Sequence, residues 1–336
     1  MPSVAGTRVV GTRAASVRVG SLIGPYRIVG EIGRGGMGLI YRAVHSLLER
    51  PAAIKVLRPE LAGDPLAIDR LRMEARATTA VRHAGVIEVY DYGYASCGAF
   101  IAMELLEGET LAQRIGARGP LSVAEALAVA LRIAVPLAAT HARGVVHRDL
   151  KPDNVFLVDG SVCGNGEQVK LLDFGIAKLE GAPDSMLASD GMVAGTPAYM
   201  APEQCVGTGD CDHRADLYAL GCILFEMLVG HSPYSLMTPR SALVAHVRAP
   251  VPDLAEHVKV PAELSALVAC LLAKDPADRP ADALEVAHLL AEIESWVALG
   301  LNQTARYPSE DPGLGAPGAA PAPAAPRAAG PPGRGS

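Results

Sequence analysis

The stretch HRDLKPDN, residues 147–154, carries the densest chemistry in this sequence. It is polar, it lies between apolar segments, and it places an acid, Asp149, close to a cation, Lys151, and an amide, Asn154. Phosphoryl transfer needs a group that accepts a hydroxyl proton, positive charge beside the transferred phosphate, and oxygen ligands for a magnesium ion. The stretch therefore predicts a phosphoryl-transfer site.

Asp173 extends this pattern downstream. It begins the triplet Asp173-Phe174-Gly175, directly after the strand-like segment 169–172. An aspartate followed by glycine at a strand end often only makes a turn. Because the triplet follows Asn154 by the length of one hairpin, we expect Asp173 to complete a magnesium site with that amide.

A glycine cluster lies upstream, within residues 32–40. Gly33, Gly35 and Gly38 have the spacing G-x-G-x-x-G, and glycine lets the backbone approach phosphate oxygens closely. Dinucleotide-binding folds share this spacing, but their loop opens a helix. Here the loop runs into a strand-like segment, 39–44, so the pattern favours a nucleotide covered by a β-hairpin.

Lys55 lies in an apolar strand-like segment, where an inward charge would need a partner. A lysine that points to water is the alternative interpretation. Glu74, on a helix predicted over residues 65–81, is the partner that we expect, and the pair would hold Lys55 against the phosphates. Glu60 and Asp69 are competing acids.

Hydrophobic periodicity divides the chain into two lobes and predicts the α+β class. Strand-like segments and one main helix fill residues 23–106 as a small antiparallel lobe, and mostly helical segments fill a larger lobe, 107–300. We expect residues 1–22 to be a disordered leader and residues 301–336, rich in Pro, Ala and Gly, to be a disordered tail. The predicted strands are 26–29, 39–44, 52–57, 86–92 and 99–105; the predicted helices are 65–81, 123–142, 214–229, 261–273 and 281–298.

Composition and charge argue against several classes of protein. The 30 basic and 36 acidic residues give a net charge of −6, which offers no basic surface for nucleic acid or an anionic membrane. The six cysteines lack the spacings of zinc sites, so they indicate reduced thiols rather than a metal or a disulfide framework. The most apolar segment, 127–142, is interrupted by Arg132 and Pro136, which favours a core helix over a membrane span. We expect a cytoplasmic protein.

Together these motifs resemble the eukaryotic-type (Hanks-type) serine/threonine protein kinase family, most closely its bacterial branch. The glycine loop, AIK at 53–55, HRDLKPDN, DFG at 173–175 and GTPAYMAPE at 195–203 occur in the family's order. The resemblance implies a bilobal protein kinase domain that binds ATP with Mg²⁺, or Mn²⁺ as an alternative. It implies protein substrates, including the chain itself, and a role in bacterial signalling.

The resemblance also implies a role for each matching residue. Asp149 would accept or orient the substrate hydroxyl, and Lys151 would steady the γ-phosphate. Met103 matches the gatekeeper position behind the purine. The full catalytic set would be Asp149, Lys151, Lys55 and Glu74; the metal ligands Asn154 and Asp173; and the nucleotide-binding residues Ile32, Gly33, Gly35, Gly38, Ile40, Ala53, Lys55, Met103, Glu104, Leu106 and Leu157.

The segment between DFG and APE bears on the acceptor and on regulation. Thr196 matches the threonine that touches the catalytic loop in serine/threonine kinases, which argues against tyrosine as the acceptor. Upstream of it the hydroxyls are Ser185 and Ser189, and Arg148 could bind a phosphoserine there. Whether any of the three hydroxyl residues is phosphorylated stays open.

Other matches concern structural support. By resemblance, Glu203 is expected to form a buried ion pair with Arg279, and Asp216 is expected to cap the backbone of the catalytic loop. Thr78 departs from the family, which stacks an apolar residue above Phe174.

Two alternative functions are weighed against an active protein kinase. A pseudokinase scaffold usually lacks at least one of Lys55, Asp149, Asn154 and Asp173, and all four are present. A small-molecule phosphotransferase would lack the GTPAYMAPE segment. Family members often dimerise through the small lobe, but no residue demonstrates a homodimer here, and the sequence identifies neither the substrate nor the activating signal.

Overall fold

A computed structural model of the chain describes residues 17–35, 38–160, 167–175, 197–207, 211–234 and 238–300. The predicted tail, most of the predicted leader, Cys163, Ser185, Ser189 and Thr196 lie outside these residues. The five cysteines that the structure does describe are free thiols.

The small lobe is built on a six-stranded antiparallel sheet in the order β1-β2-β3-β4-β6-β5. Its central strand β4 is buried along almost its whole length, because apolar clusters cover both of its faces. This burial explains why residues 52–57 read as a continuous apolar run. The strands are β1 Leu22–Ile23, β2 Tyr26–Arg34, β3 Gly38–His45, β4 Pro51–Leu57, β5 Val89–Ala95 and β6 Gly98–Met103.

Helix α1, Pro65–Ala80, packs against this sheet. Asp64 caps its first turn by accepting a hydrogen bond from the Leu66 amide, and Pro65 occupies the first helical position, where no N–H is needed. Its buried face consists of Ala67, Leu71, Ala75 and Thr78. The helix is therefore held in a fixed orientation over β4.

The large lobe is mainly helical and carries a three-stranded antiparallel sheet, β7-β8-β9. Helix α5, which is almost entirely buried, runs through its core. The sheet strands are β7 Gly108–Thr110, β8 Val155–Val158 and β9 Gln168–Leu171. The helices are α2 Leu111–Arg118, α3 Val123–His141, α4 Pro202–Val206, α5 Arg214–Val229, α6 Pro239–Arg248, α7 Ala262–Leu271 and α8 Ala283–Ala298.

Helix α3 is, within the described ranges, the one helix long and apolar enough to cross a membrane by length and composition. Its buried residues pack in the core of the large lobe together with α5 and α8. Core helices pass the same test, and the segment was predicted as a core helix.

Two of the differences from the sequence predictions follow from backbone pairing. The strand predicted from Val86 begins only at Val89, because the residues before it pair with the large lobe: the Ile87 amide donates to the Leu171 carbonyl at 3.1 Å. Residues expected to belong to the leader pair with β2, since the Gly20 amide donates to the Ile28 carbonyl at 2.8 Å.

His246 in α6 gives the fold an expected pH dependence. Its ring is buried and hydrogen-bonded to the Tyr218 hydroxyl at 2.8 Å. Burial, together with the nearby Lys274 ammonium, lowers the pKa of His246 to about 4. Histidine in an unfolded chain titrates near pH 6.5, so below that pH the unfolded chain binds a proton that the folded protein does not. Stability is therefore lost as the pH falls from about 6.5 towards 4.

Through His246 alone, the free energy of unfolding is expected to fall by about 2 kcal/mol between pH 7 and pH 5. Urea unfolding of the wild type and of His246→Gln at both pH values measures this, and the variant should lose about 2 kcal/mol less than the wild type. An equal loss in both proteins would show that His246 is not the titrating group.

Candidate active site

The glycine-rich loop includes the end of β2 and the start of β3: Ile32 and Gly33 lie in β2, Gly35 follows that strand, and Gly38 begins β3. The Gly35 amide donates to the Gly38 carbonyl at 2.8 Å. A Cβ at Gly38 would lie 2.6 Å from the Val56 carbonyl oxygen of β4, so only glycine fits there. Arg58, which the sequence analysis did not identify, donates from Nη2 and Nε to the Gly35 carbonyl at 2.8 and 3.1 Å. The loop is thereby tied to the end of β4.

Lys55 on β4 contacts two carboxylates. Its Nζ lies 2.7 Å from Glu74 Oε1 on α1 and 2.9 Å from Asp173 Oδ1. The lysine is buried, so it does not point to water. Of the competing acids, Asp69 pairs with Arg72 on its own helix. The structure thus brings together three of the predicted site residues from three separate segments.

One ammonium is shared by two carboxylates in this triad. Burial alone would lower the pKa of Lys55, but Asp173 and Glu74 outweigh it and raise that pKa. Burial raises the pKa of Glu74 to about 7, with Lys55 opposing and Asp173 adding to the shift. Desolvation would also raise the pKa of Asp173, but Lys55 lowers it. Asp173 is therefore the carboxylate of the triad that stays charged and can contact a cation.

The catalytic loop groups Asp149, Lys151 and Asn154. Lys151 Nζ lies 3.2 Å from Asp149 Oδ2, and Asn154 Nδ2 donates to the Asp149 carbonyl at 2.8 Å and to Oδ2 at 3.2 Å. A short 3₁₀ turn, Pro152–Asn154, brings the amide back towards the acid. The acid, cation and amide predicted from HRDLKPDN therefore lie within direct contact of one another.

The Asp216 side chain, on α5, binds the backbone of this loop. Its carboxylate accepts hydrogen bonds from the amides of His147 and Arg148, each at 2.8 Å. His141 Nε2 lies 2.8 Å from the same carboxylate. Burial would raise the pKa of Asp216, but the His141 bond and the nearby imidazoles outweigh it and lower the pKa. Asp216 contacts the backbone that it was predicted to cap.

His147 links the loop to the DFG segment. Its Nδ1 accepts from the Asp149 amide at 3.3 Å, so Nε2, which lies 2.9 Å from the Leu172 carbonyl, carries the proton. Burial lowers the pKa of His147, which favours this neutral form. The ring also packs on Phe174, with centroids 4.7 Å apart. His147 therefore positions the loop rather than exchanging protons with solvent.

The DFG segment approaches the loop closely. The Gly175 amide donates to the His147 carbonyl at 2.8 Å, and a Cβ at Gly175 would lie 2.5 Å from the Asp149 Cβ. The Leu172 amide donates to the Asn154 carbonyl at 2.9 Å. This bond places Asn154 beside the residue that follows Leu172, which is Asp173.

Asn154 and Asp173 fit a magnesium site by their chemistry. Both offer side-chain oxygens, and Asp173 keeps 38% of its side chain exposed. No cluster of three or more His, Cys, Asp or Glu side chains suited to a metal occurs among the described residues.

Four of the predicted adenine-binding residues belong to one apolar cluster, and a fifth, Leu157, does not. Ala53 and Met103 are buried, and Ile40 and Leu106 pack against them. Leu157 belongs to the core of the large lobe. Leu172 joins the same cluster as Ala53, although the sequence analysis gave it no role; its place directly before Asp173 was the available signal.

Glu104 follows β6 and is held by its neighbours, because its amide donates to the Glu88 carbonyl at 2.9 Å. Its carboxylate is already engaged by the Glu88 amide at 2.7 Å and by Lys170 Nζ at 2.6 Å. Among the described residues, the backbone groups of Leu105 and Leu106 form no hydrogen bond with other backbone groups. This segment can therefore offer main-chain donors and acceptors to the edge of a base.

Comparison with known proteins identifies the family of this chain. Residues 26–291 match the family described as protein kinase domain. The chain belongs to the protein kinase family. It is 41% identical over 262 residues to serine/threonine-protein kinase Pkn1 of Myxococcus xanthus, covering 78% of this chain and 37% of Pkn1. It is 37% identical over 275 residues to serine/threonine-protein kinase PknL of Mycobacterium tuberculosis, covering 82% of this chain and 67% of PknL.

The solved structures agree. The crystal structure of the Mycobacterium tuberculosis PknI kinase domain matches with a TM-score of 0.65 and 29% identity, covering 82% of this chain and 99% of that domain. The predicted family and the bilobal α+β fold are confirmed. The family uses ATP with a divalent metal ion. This chain spans little more than a third of Pkn1.

Proposed function

We propose that this chain is an active serine/threonine protein kinase that transfers the γ-phosphate of ATP, with Mg²⁺, to hydroxyl groups of proteins. The observation that carries the proposal is the contact of Lys55 with both Glu74, at 2.7 Å, and Asp173, at 2.9 Å. Protein kinases need this lysine–glutamate pair and the DFG aspartate in place for phosphoryl transfer. A pseudokinase scaffold would have no need to keep this arrangement.

The catalytic loop supplies the remaining roles. The Asp149 carboxylate would accept the proton of the substrate hydroxyl. At the same time the hydroxyl oxygen bonds to the γ-phosphorus, and the bond from that phosphorus to the bridging oxygen breaks, which releases ADP. Lys151, beside Asp149, would hold positive charge on the transferred group. Asn154 and Asp173 would bind Mg²⁺, which when bound neutralises phosphate charge.

Regulation and location stay predictions. Arg148 Nε is buried and has no hydrogen-bond partner in the described part of the chain, which supports the hypothesis that this guanidinium binds a phosphorylated residue of the activation segment. Ser185, Ser189 and Thr196, the candidate hydroxyls, lie outside the described residues.

We propose protein substrates and a cytoplasmic location, with no nucleic-acid partner and no membrane span; homodimerisation is left open.

Phosphate incorporation tests the proposal. Purified protein is incubated with Mg-ATP and a generic basic protein, and the modified residues are identified by mass spectrometry. Phosphoserine and phosphothreonine are expected. If the wild type binds nucleotide but incorporates no phosphate, the pseudokinase scaffold is correct; if it phosphorylates only a small molecule, it is a small-molecule phosphotransferase.

Replacing Lys55 with methionine is expected to lower incorporation by about 10²–10³-fold, because the charge aimed at the phosphates is lost. Glu74→Gln should cost less, since Asp173 still holds the lysine. Lys259→Met, at an exposed lysine of the large lobe, is the matched control and should act like the wild type. Unchanged turnover in Lys55→Met would overturn the role given to this lysine.

A further inference from the structure

The peptide bond that precedes Asp149 is held from both sides. Arg148 has a φ of +64°, in the left-handed region that side chains other than glycine rarely adopt. Such a conformation persists only when its surroundings enforce it. The Arg148 amide donates to Asp216 Oδ1 at 2.8 Å, and the Arg148 carbonyl accepts from Gln204 Nε2 at 3.1 Å. Asp216 and Gln204 thus fix opposite ends of one strained residue.

Gln204 is itself held in one orientation. Its Oε1 accepts from the Ala201 amide at 3.0 Å, so the side-chain amide must present Nε2 to Arg148. Its neighbour Glu203 forms two hydrogen bonds with the buried Arg279, at 2.7 and 2.8 Å. Helix α4, which carries Gln204, is therefore anchored in the large lobe.

We propose that Gln204 is a positioning residue for phosphoryl transfer, which fixes the Arg148–Asp149 peptide by donating to the Arg148 carbonyl. The proposal rests on the proposed role of Asp149 as the base. The same peptide carries the Asp149 amide that donates to His147 Nδ1 at 3.3 Å. If this peptide rotated, Asp149 would lose its hydrogen bonds with both His147 and Asn154. A displacement of about 1 Å at a reacting group can cost about 10²-fold in rate.

The space beside this bond is small. A cavity of about 10 Å³ is bordered by Gln204, Arg148, Asp149, Lys151 and Asp216. That is close to the smallest volume that holds one water molecule. The loop is therefore closely packed around the bond from Gln204.

Two variants separate positioning from helix capping. Gln204→Glu keeps an oxygen that can accept from the Ala201 amide but places a second oxygen against the Arg148 carbonyl. Gln204→Met removes both bonds. Both are expected to lower kcat by about tenfold with an unchanged KM for ATP, since neither touches Lys55 or the glycine-rich loop. Both variants should lower the melting temperature, and Gln204→Met should lower it further because it also loses the bond to the Ala201 amide.

Gln113 on α2 provides matched controls. Its Oε1 accepts from the Thr110 amide at 2.8 Å, which is the same capping contact, at an exposed position. Gln113→Glu and Gln113→Met are therefore expected to keep the wild-type kcat. If Gln204→Glu also keeps the wild-type kcat, Gln204 is a helix cap only and the proposal is wrong.

Amide hydrogen exchange gives a readout that does not depend on activity. Loss of one hydrogen bond is worth about 1 kcal/mol, so the Arg148 and Asp149 amides should exchange about fivefold faster in both Gln204 variants and not in the Gln113 variants. Unchanged exchange would overturn the positioning role. If the wild type shows no kinase activity while both Gln204 variants exchange faster than the wild type, the proposed function is refuted and the positioning contact stands.

Discussion

Replacing Asp149 with asparagine is expected to lower kcat by about 10²–10⁴-fold, the usual contribution of a general base. The substitution keeps the size and shape of the side chain, so the hydrogen bond from Asn154 Nδ2 to the Asp149 backbone carbonyl, 2.8 Å long, should survive. What is lost is the carboxylate that Lys151 approaches at 3.2 Å, and with it the acceptor for the substrate proton. Nucleotide affinity should stay near that of the wild type.

Single-turnover kinetics with Mg-ATP and a fluorescent nucleotide titration measure the two quantities separately. Asp153→Asn is the matched control, because it changes an exposed carboxylate of the same loop, and its kcat should resemble that of the wild type. Equal rates for Asp149→Asn and the wild type would remove Asp149 from the role of base.

Much of the fold could be predicted because local pattern and tertiary structure agree. Strands β2 to β4 lie in segments that were predicted as strands, and α1 begins at Pro65, the start that was predicted for it. Helices α2, α4 and α6 were not predicted individually. Two of them are short, eight and five residues, so they contain too few apolar positions to establish a period.

Contacts of the candidate site could be predicted where the residues are close in sequence. Contacts between distant segments could not. Asp149, Lys151 and Asn154 lie within one loop, so their spacing predicts their contact. Spacing could not select the partner of Lys55 among nearby acids, because the choice depends on how α1 packs over β4. The bond from Gln204 to the carbonyl of Arg148 joins residues 56 positions apart, and no sequence pattern marks it.

Removal of the Arg279 guanidinium is expected to destabilise the protein by about 3–5 kcal/mol, because it leaves the Glu203 carboxylate unpaired in the interior. The Arg279 side chain is fully buried, and its pair with Glu203, at 2.7 Å, was predicted from the sequence resemblance. The guanidinium also donates to the Ala273 carbonyl at 2.9 Å and the Arg214 carbonyl at 2.9 Å. These contacts tie α4 to α5 and to the segment before α8.

Urea unfolding of Arg279→Met, Glu203→Gln and the double variant measures the effect. The double variant should be more stable than Arg279→Met, since no charge is then left unpaired. Arg42→Met is the control: Arg42 pairs with Glu107 at 3.7 Å with 45% and 58% of the two side chains exposed, so its loss should cost at most about 1 kcal/mol. If Arg279→Met lowers the free energy of unfolding no more than Arg42→Met does, the buried pair does not stabilise the large lobe. Other contacts must then hold α4, and with it Gln204, against the catalytic loop.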